Sequence, residues 1–188
     1  MVDLNTPRFG QLLENSYNDK QKNIDGYLID EKLSGKRAQV YTNDKGEATV
    51  VHRGTKGIQD IITDGRLFFG DKSNKRFQHG KRIQKEAEAK YGKDNVTTIG
   101  HSLGATIAEK VGNKTKNIIT YNKPVVISDI NKKISKNQTD IKQSLDPVSL
   151  LRGFQRGNEA VVLKSKTYNP FKEHSSTTAR RIKQTFKV

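Results

Sequence analysis

The sequence predicts an α/β protein in which a mostly parallel sheet is covered by helices on both faces. The main observation is a strand, a sharp turn, a helix and a second strand in direct succession. Residues 96–99 are strand-like, 100–104 are rich in glycine, 105–111 carry apolar residues at helical spacing, and 117–121 are again strand-like. Such a βαβ unit joins parallel strands, because parallel neighbours need a crossover connection.

The other elements extend this sheet and cover it. A polar helix is predicted over 8–22, and a β-hairpin over 37–43 and 47–52 turns at Asp44-Lys45-Gly46. The remaining predicted elements are helices at 58–66 and 77–91, strands near 139–144 and at 159–164, and a basic helix at 175–187. A length of 188 residues suits one domain over 1–188, with an N-terminal helical segment at about 1–30 and a core at about 37–180.

Composition excludes several kinds of site and leaves one electrostatic feature. The chain has no Cys, which excludes disulfides, Cys-ligated metal and thiol catalysis. Its 35 Lys and Arg residues against 20 Asp and Glu residues give a net charge of +15. These basic residues occur throughout the chain and aromatic residues are few. The pattern therefore indicates either a basic solvated surface or attraction to an anionic surface, whether phospholipid or nucleic acid.

The N-terminus and the apolar runs bear on location. Residues 1–10 are polar and include Pro7, so they do not read as a signal peptide. No apolar run approaches the ~18 residues that span a bilayer. We therefore expect a protein that is cytoplasmic at synthesis, with membrane-peripheral or particle-associated placement left open.

The residues Gly100-His101-Ser102-Leu103-Gly104 form a Gly-x-Ser-x-Gly motif between the predicted strand and helix. In this arrangement the serine stands on a strained turn, and the glycines remove collisions with neighbouring backbone. We expect the turn to leave the Ser102 hydroxyl exposed above the sheet. The strand before the motif and the helix after it make the motif specific, and a serine that merely caps a helix is the alternative interpretation.

A serine hydroxyl becomes a nucleophile only when a base takes its proton, so this motif calls for a histidine. Of the four His residues, His174 alone follows Ser102, as the order serine, acid, histidine requires. His101 adjoins the serine, and its side chain should point away from the hydroxyl. The sequence thus selects His174 by elimination, against the alternative of an ordinary surface histidine.

The acid that orients this histidine should lie between Ser102 and His174. Its candidates are Glu109, Asp129, Asp140, Asp146, Glu159 and Glu173. Asp146 leads because it follows a predicted strand and precedes Pro147, in the kind of strand-end loop where functional groups sit in open α/β sheets. Asp129 and Asp140 are the fallbacks, and a purely structural Asp-Pro turn is the alternative interpretation of Asp146.

Stabilising the oxyanion that forms during acyl transfer requires hydrogen-bond donors, each contributing about 3–4 kcal/mol. One donor should be the backbone N–H of Leu103, which follows the serine, and the second comes from an earlier loop. Gly54 lets the backbone turn after the hairpin strand. We therefore choose the Thr55 N–H as the second donor.

These segments together resemble the class 3 (fungal-type) lipase family of α/β-hydrolases. The likeness covers about residues 37–180 and is carried by 50–55, 60–64 and 99–105, with 146–148 and 169–175 resembling the acid and histidine segments. It implies a minimal α/β-hydrolase that cleaves acyl esters through an acyl-enzyme. The resemblance also implies a catalytic triad of Ser102, Asp146 and His174, with Thr55 and Leu103 as oxyanion donors.

The family keeps a lid where residues 65–77 lie in this chain. Leu67, Phe68 and Phe69 fit an apolar flap over an acyl groove, and plain helix packing is an equally good interpretation.

The expected activity is that of a lipase, phospholipase or esterase acting on a lipid ester. No cofactor or metal is implied, because no cluster of His and carboxylates has ligand spacing. The basic surface suggests peripheral contact with an anionic membrane. The alternative function is a hydrolase-fold protein with little or no catalysis that binds an anionic partner, nucleic acid or a membrane surface.

Overall fold

The computed structural model describes residues 8–18, 20, 22–55, 75–125, 129–149, 152 and 154–181. Within these residues seven strands form one sheet, in the order of the chain. The strands are β1 (Leu28–Ile29), β2 (Ala38–Thr42), β3 (Ala48–His52), β4 (Val96–His101), β5 (Asn117–Tyr121), β6 (Gln138–Gln143) and β7 (Val161–Leu163). The helices are α1 (Phe9–Asn15), α2 (Lys75–Tyr91), α3 (Leu103–Val111) and α4 (Pro170–His174), with 3₁₀ turns at Lys93–Asn95 and Ser176–Arg181.

The sheet is mostly parallel, as predicted. Strands β1, β2 and β3 pair antiparallel, and β3 through β7 all pair parallel. In the described chain, α2 precedes β4 and α3 connects β4 to β5. The carboxyl ends of the five parallel strands therefore share one edge of the sheet, where α/β proteins place their functional groups.

Side chains of neighbouring residues along a strand enter two separate cores, one on each face of the sheet. Val40 and Val50 pack on the face covered by α2, through Ile83. Tyr41, in contrast, packs on the opposite face, against Leu12 of α1. The predicted covering of both faces is therefore confirmed.

The predicted hairpin is confirmed as β2 and β3. Its turn places Gly46 at φ +74°, and the Asn43 side chain accepts the backbone N–H groups of Lys45 and Glu47 at 3.1 and 2.9 Å. This Asx-type turn closes the hairpin together with backbone hydrogen bonds from the Asn43 N–H to the Glu47 carbonyl and from the Gly46 N–H to the Asn43 carbonyl.

The predicted helix over 8–22 is wrong beyond Asn15. Ser16 Oγ donates to the Leu13 carbonyl at 2.6 Å, and Asn15 Nδ2 donates to the Lys22 carbonyl and to Tyr41 Oη at 2.7 and 2.8 Å. These short polar side chains compete with the helical hydrogen bonds, so the helix stops.

The predicted basic helix at 175–187 is wrong in type over 176–181, which form a 3₁₀ turn after the short α4. Its remaining part, 182–187, lies outside the described residues. Strand β1 was not predicted. The predicted helix at 58–66 and the lid residues Leu67, Phe68 and Phe69 lie outside the described residues. Within the described part of the chain, no helix is both long enough and apolar enough to cross a bilayer.

Candidate active site

Ser102 lies on a strained turn between β4 and α3. Its backbone has φ +55° and ψ −127°, a conformation that costs a non-glycine residue about 1–3 kcal/mol. The Ser102 N–H donates to the Tyr121 carbonyl of β5 at 3.0 Å, and the Ser102 carbonyl accepts from the Ala105 N–H at 2.8 Å. The sheet and the first turn of the helix therefore hold the serine from both sides.

The two motif glycines are required because backbone segments approach closely around this turn. A Cβ built at Gly100 would lie 2.3 Å from the Gly104 carbonyl oxygen, and one at Gly104 would lie 2.0 Å from the His52 carbonyl oxygen. Side chains do not tolerate such contacts with backbone atoms. A larger residue at either position would push α3 away from the strands that support it.

The structure brings Ser102, His174 and Asp146 together in a hydrogen-bonded chain. His174 Nε2 lies 2.9 Å from Ser102 Oγ, and His174 Nδ1 lies 2.7 Å from Asp146 Oδ1. Because a carboxylate only accepts hydrogen bonds, Nδ1 carries the ring proton and the Nε2 lone pair faces the serine hydroxyl. This arrangement allows His174 to accept the hydroxyl proton.

Asp146 is fixed by a turn that its own sequence neighbours form after β6. Its Oδ2 accepts the Ser149 N–H at 2.9 Å, and its Oδ1 accepts the Val148 N–H at 3.4 Å. Pro147 has no N–H to compete for the carboxylate. One carboxylate therefore shapes the loop and orients His174 as well.

All three side chains are buried. The exposed fractions of Ser102, Asp146 and His174 are 0%, 1% and 4%. The expectation of an exposed Ser102 hydroxyl is therefore wrong. One reason is the loop after β3, because a Cβ built at Gly54 would lie only 3.0 Å from Ser102 Cβ.

Each of the two predicted oxyanion donors directly follows one residue of the close contact between Gly54 and Ser102. Thr55 directly follows Gly54, so its loop lies beside the serine. Leu103 is the first residue of α3, and the first N–H groups of a helix have no acceptor within the helix. A developing negative charge near Ser102 would also lie at the positive end of the α3 dipole.

Arg76 of α2 holds the loop that carries Thr55. Its Nη2 donates to the carbonyls of Arg53 and Gly54 at 2.9 and 3.2 Å, and its Nη1 lies 3.5 Å from Thr55 Oγ1. Burial lowers the pKa of Arg76 to about 10, which still leaves it charged at neutral pH. Arg76 was not predicted as a site residue, because nothing in the sequence local to α2 reveals a contact with a distant loop.

A second hydrogen-bonded chain runs from Tyr17, which follows α1, to the backbone of His174. The Gly54 N–H donates to Tyr17 Oη at 2.9 Å, and Tyr17 Oη lies 2.7 Å from His101 Nδ1. His101 Nε2 lies 2.7 Å from the His174 carbonyl oxygen. Since a carbonyl only accepts, Nε2 carries the His101 proton and Nδ1 accepts from the Tyr17 hydroxyl.

His101 is neutral in this position. Burial, and then the nearby His174 ring, lowers the pKa of His101 to about 3. Its ring therefore positions the backbone of His174 while both of its nitrogens are occupied. The participation of Tyr17 was missed, because Tyr17 and His101 lie 84 residues apart.

Glu173, one of the six candidate acids, instead holds the segment that leads to His174. Its Oε1 accepts the backbone N–H groups of Lys166 and Thr167 at 3.2 and 2.9 Å. Its backbone carbonyl accepts from Asn122 Nδ2 at 3.0 Å. The carboxylate thus ties the loop after β7 to α4.

The fallback acid Asp140 belongs to a separate buried ion network on β6. Its Oδ2 lies 3.2 Å from Lys123 Nζ and also accepts a hydrogen bond from Arg152 Nε. Burial raises the pKa of Asp140, but the charges of Lys123 and Arg152 outweigh burial and lower it. Lys123 also pairs with Glu109 at 2.7 Å, so two of the candidate acids serve this network.

Across the described ranges, no group of three or more His, Asp or Glu residues has the arrangement of a metal site.

No family model matches the sequence, and no curated protein matches it either. Several solved structures do match the fold. The Rhizomucor miehei lipase–propeptide complex has a TM-score of 0.56 and 15% identity, and the match covers 95% of this chain and 78% of that chain.

Two further lipases give similar matches. Lip2 lipase from Yarrowia lipolytica has a TM-score of 0.50 and 16% identity, covering 78% of this chain and 72% of that chain. A triacylglycerol lipase from Penicillium expansum has a TM-score of 0.50 and 15% identity, covering 85% of this chain and 80% of that chain. At such low identity the likeness concerns the fold, and the chain has an α/β-hydrolase-like fold of the kind found in these fungal lipases.

Proposed function

We propose that the protein is a serine carboxylic-ester hydrolase of the lipase or phospholipase type. The single observation that carries the proposal is the buried hydrogen-bonded chain from Asp146 through His174 to Ser102. Each member has the hydrogen-bonding role that acyl transfer needs. The fold likeness to fungal lipases supports the same reaction class.

In the first half of the reaction, Ser102 Oγ attacks the ester carbonyl carbon while His174 Nε2 takes the hydroxyl proton. The carbonyl oxygen becomes an oxyanion that accepts from the Leu103 and Thr55 N–H groups. His174 then gives its proton to the leaving alcohol as the ester C–O bond breaks. Asp146 stabilises the imidazolium that exists between these two proton transfers.

In the second half, water attacks the acyl-enzyme and His174 Nε2 takes a proton from that water. The bond between the acyl carbon and Ser102 Oγ then breaks, Oγ regains a proton from His174 Nε2, and the carboxylic acid leaves. Because Ser102 is buried, an ester reaches Oγ only after the groups around it move. We assign the substrate class as acyl esters of lipids, on the strength of the lipase neighbours.

The decisive experiment compares wild type with Ser102→Ala. A fluorophosphonate probe should label wild type at Ser102, and Ser102→Ala should lower kcat for short p-nitrophenyl esters by roughly 10⁶-fold. The control Ser135→Ala removes an exposed serine hydroxyl elsewhere and should leave labelling and kcat unchanged.

Two results would count against the proposal. Retained turnover in Ser102→Ala would show that Ser102 is not the nucleophile. Absence of labelling in folded wild type would favour the non-catalytic alternative. A panel of triacylglycerols and phospholipids then tests the lipid assignment separately. Hydrolysis of short esters without hydrolysis of these lipids would identify the protein as an esterase and contradict the lipid assignment.

A further inference from the structure

We propose that a lysine-lined cavity between α2 and α3 binds a compact, multiply phosphorylated anion. The cavity has a volume of about 820 Å³, within the range of about 300–1,000 Å³ that small-molecule sites occupy. Its lysines, which we call the lysine cavity set, come from separate parts of the sequence. They are Lys81, Lys85, Lys93, Lys110, Lys114 and Lys132.

The charges of this set are almost entirely uncompensated. Lys132 pairs with Glu109 at 2.6 Å, but among the described residues the other five lysines have no carboxylate partner. Glu88 is the one carboxylate among the described lining residues, and its Oε1 accepts a hydrogen bond from Gln84 Nε2 at 3.1 Å. Among the described residues, the cavity therefore concentrates positive charge that an external anion would neutralise.

The arrangement of the lysines keeps them close together. Lys81 and Lys85 lie one turn apart on the same side of α2, and Lys110 and Lys114 flank the end of α3 on the opposite wall. Like charges at such spacing repel each other. An anion held between the two walls would relieve the repulsion from both sides.

The chemistry of the lining favours phosphate groups on a compact molecule. The described lining contains lysines and no arginine, so recognition depends on charge and not on the planar, two-pronged geometry of a guanidinium. Phe77 is the one aromatic residue in this lining, so the cavity offers little on which successive nucleic-acid bases could stack. A concave site between two helices also suits a soluble anion better than a flat bilayer surface.

The site is separate from the proposed ester site. Lys110 is eight residues beyond Ser102 on the axis of α3, a rise of about 12 Å. Ligand binding here does not depend on the proposed hydrolase activity, and an inactive protein would still bind the anion.

The test is titration calorimetry with myo-inositol hexakisphosphate, in buffer whose sulfate provides a background of competing simple anion. The cavity variant Lys81→Gln/Lys85→Gln/Lys114→Gln replaces three exposed lysines with residues that also favour helices. The matched control Lys32→Gln/Lys36→Gln/Lys45→Gln removes three positive charges from exposed positions near the N-terminal hairpin. Circular dichroism checks that both variants fold.

We expect wild type and the control to bind with equal Kd and the cavity variant to bind at least about tenfold more weakly, a loss of about 1.4 kcal/mol. Turnover of p-nitrophenyl esters, if present in wild type, should be the same in all three proteins. Equal weakening in both variants would assign the binding to overall charge and overturn the proposal. No binding by wild type would overturn it as well.

Competition distinguishes the other anions. If single-stranded oligothymidylate or phosphatidylglycerol vesicles displace the hexakisphosphate at a lower phosphate concentration than inorganic triphosphate does, the compact-anion proposal is wrong. Displacement by triphosphate first would support it.

Discussion

The two ends of α3 lie in different environments, one buried and hydrogen-bonded and the other lined by lysines. At its N-terminus, Ser102 is fully buried and its neighbours His174, Asp146 and His101 each have assigned hydrogen-bond partners. Near its C-terminus, Lys110 and Lys114 line an open cavity and have no carboxylate partner among the described residues. Proton transfer needs one fixed geometry, which buried hydrogen bonds supply, whereas attraction of an anion needs charge density and tolerates mobile side chains.

The largest effect that sharpens this contrast is expected from Asp146→Asn. An amide at this position no longer favours the His174 tautomer whose Nε2 faces Ser102, so kcat for p-nitrophenyl butyrate should fall about 10⁴-fold while the protein remains folded. The control Asp129→Asn changes the other fallback acid and should keep full activity. Active Asp146→Asn together with inactive Asp129→Asn would move the acid role to residue 129.

The second prediction concerns the stability of the buried histidines as pH falls. Burial lowers the pKa of His52 to about 4 and that of His101 to about 3, against about 6.5 in the unfolded chain. Between pH 7.5 and 4.5 the unfolded state takes up more protons at these two histidines than the native state does, so the free energy of unfolding decreases on acidification. Each histidine should contribute a loss of about 2–3 kcal/mol across this interval.

Urea unfolding at pH 7.5 and pH 4.5 measures this loss. The variant His52→Gln removes one titrating group, and its stability should fall by about 2–3 kcal/mol less than that of wild type over the same interval. An identical pH dependence in the two proteins would show that His52 has the same pKa in the native and unfolded states, which would contradict the prediction.

The smallest predicted effect concerns the hydrogen-bonded series that links Tyr17 through His101 to the backbone of His174. Tyr17→Phe removes the hydroxyl that pairs with the Gly54 N–H and with His101, which should lower the free energy of unfolding by about 1–3 kcal/mol. Loosening of the His174 backbone should also reduce kcat about tenfold with little change in KM. The control Tyr168→Phe alters a side chain that is 98% exposed and should change neither quantity.

A purely structural role for Tyr17 would give a different result. In that case stability would fall and the kcat of the folded fraction would stay at the wild-type value. Comparing kcat per folded molecule in Tyr17→Phe and wild type separates the two roles.

Much of the fold followed from local pattern. The β-branched strands, the Asp44-Lys45-Gly46 turn and the strand–turn–helix around Ser102 depend on short-range preferences that any window of the sequence contains. The wrong predictions concern segments whose conformation depends on contacts with residues distant in the sequence. The predicted helix over 8–22 ends at Asn15, where Asn15 bonds the distant Tyr41 in addition to the local bond of Ser16 to Leu13, and no local preference encodes the contact with Tyr41.

The sequence by itself determined the order of most of the elements and the motif at Ser102. It also selected His174 as the base and ranked Asp146 above Asp129 and Asp140 as the acid. Only the tertiary structure decided that Tyr17, Arg76 and Glu173 support the site, that Ser102 is buried, and that lysines scattered from 81 to 132 line one cavity. The reason is that backbone conformation follows near neighbours in the chain, whereas hydrogen-bond partners and charge density depend on which distant segments the sheet and its helices bring together.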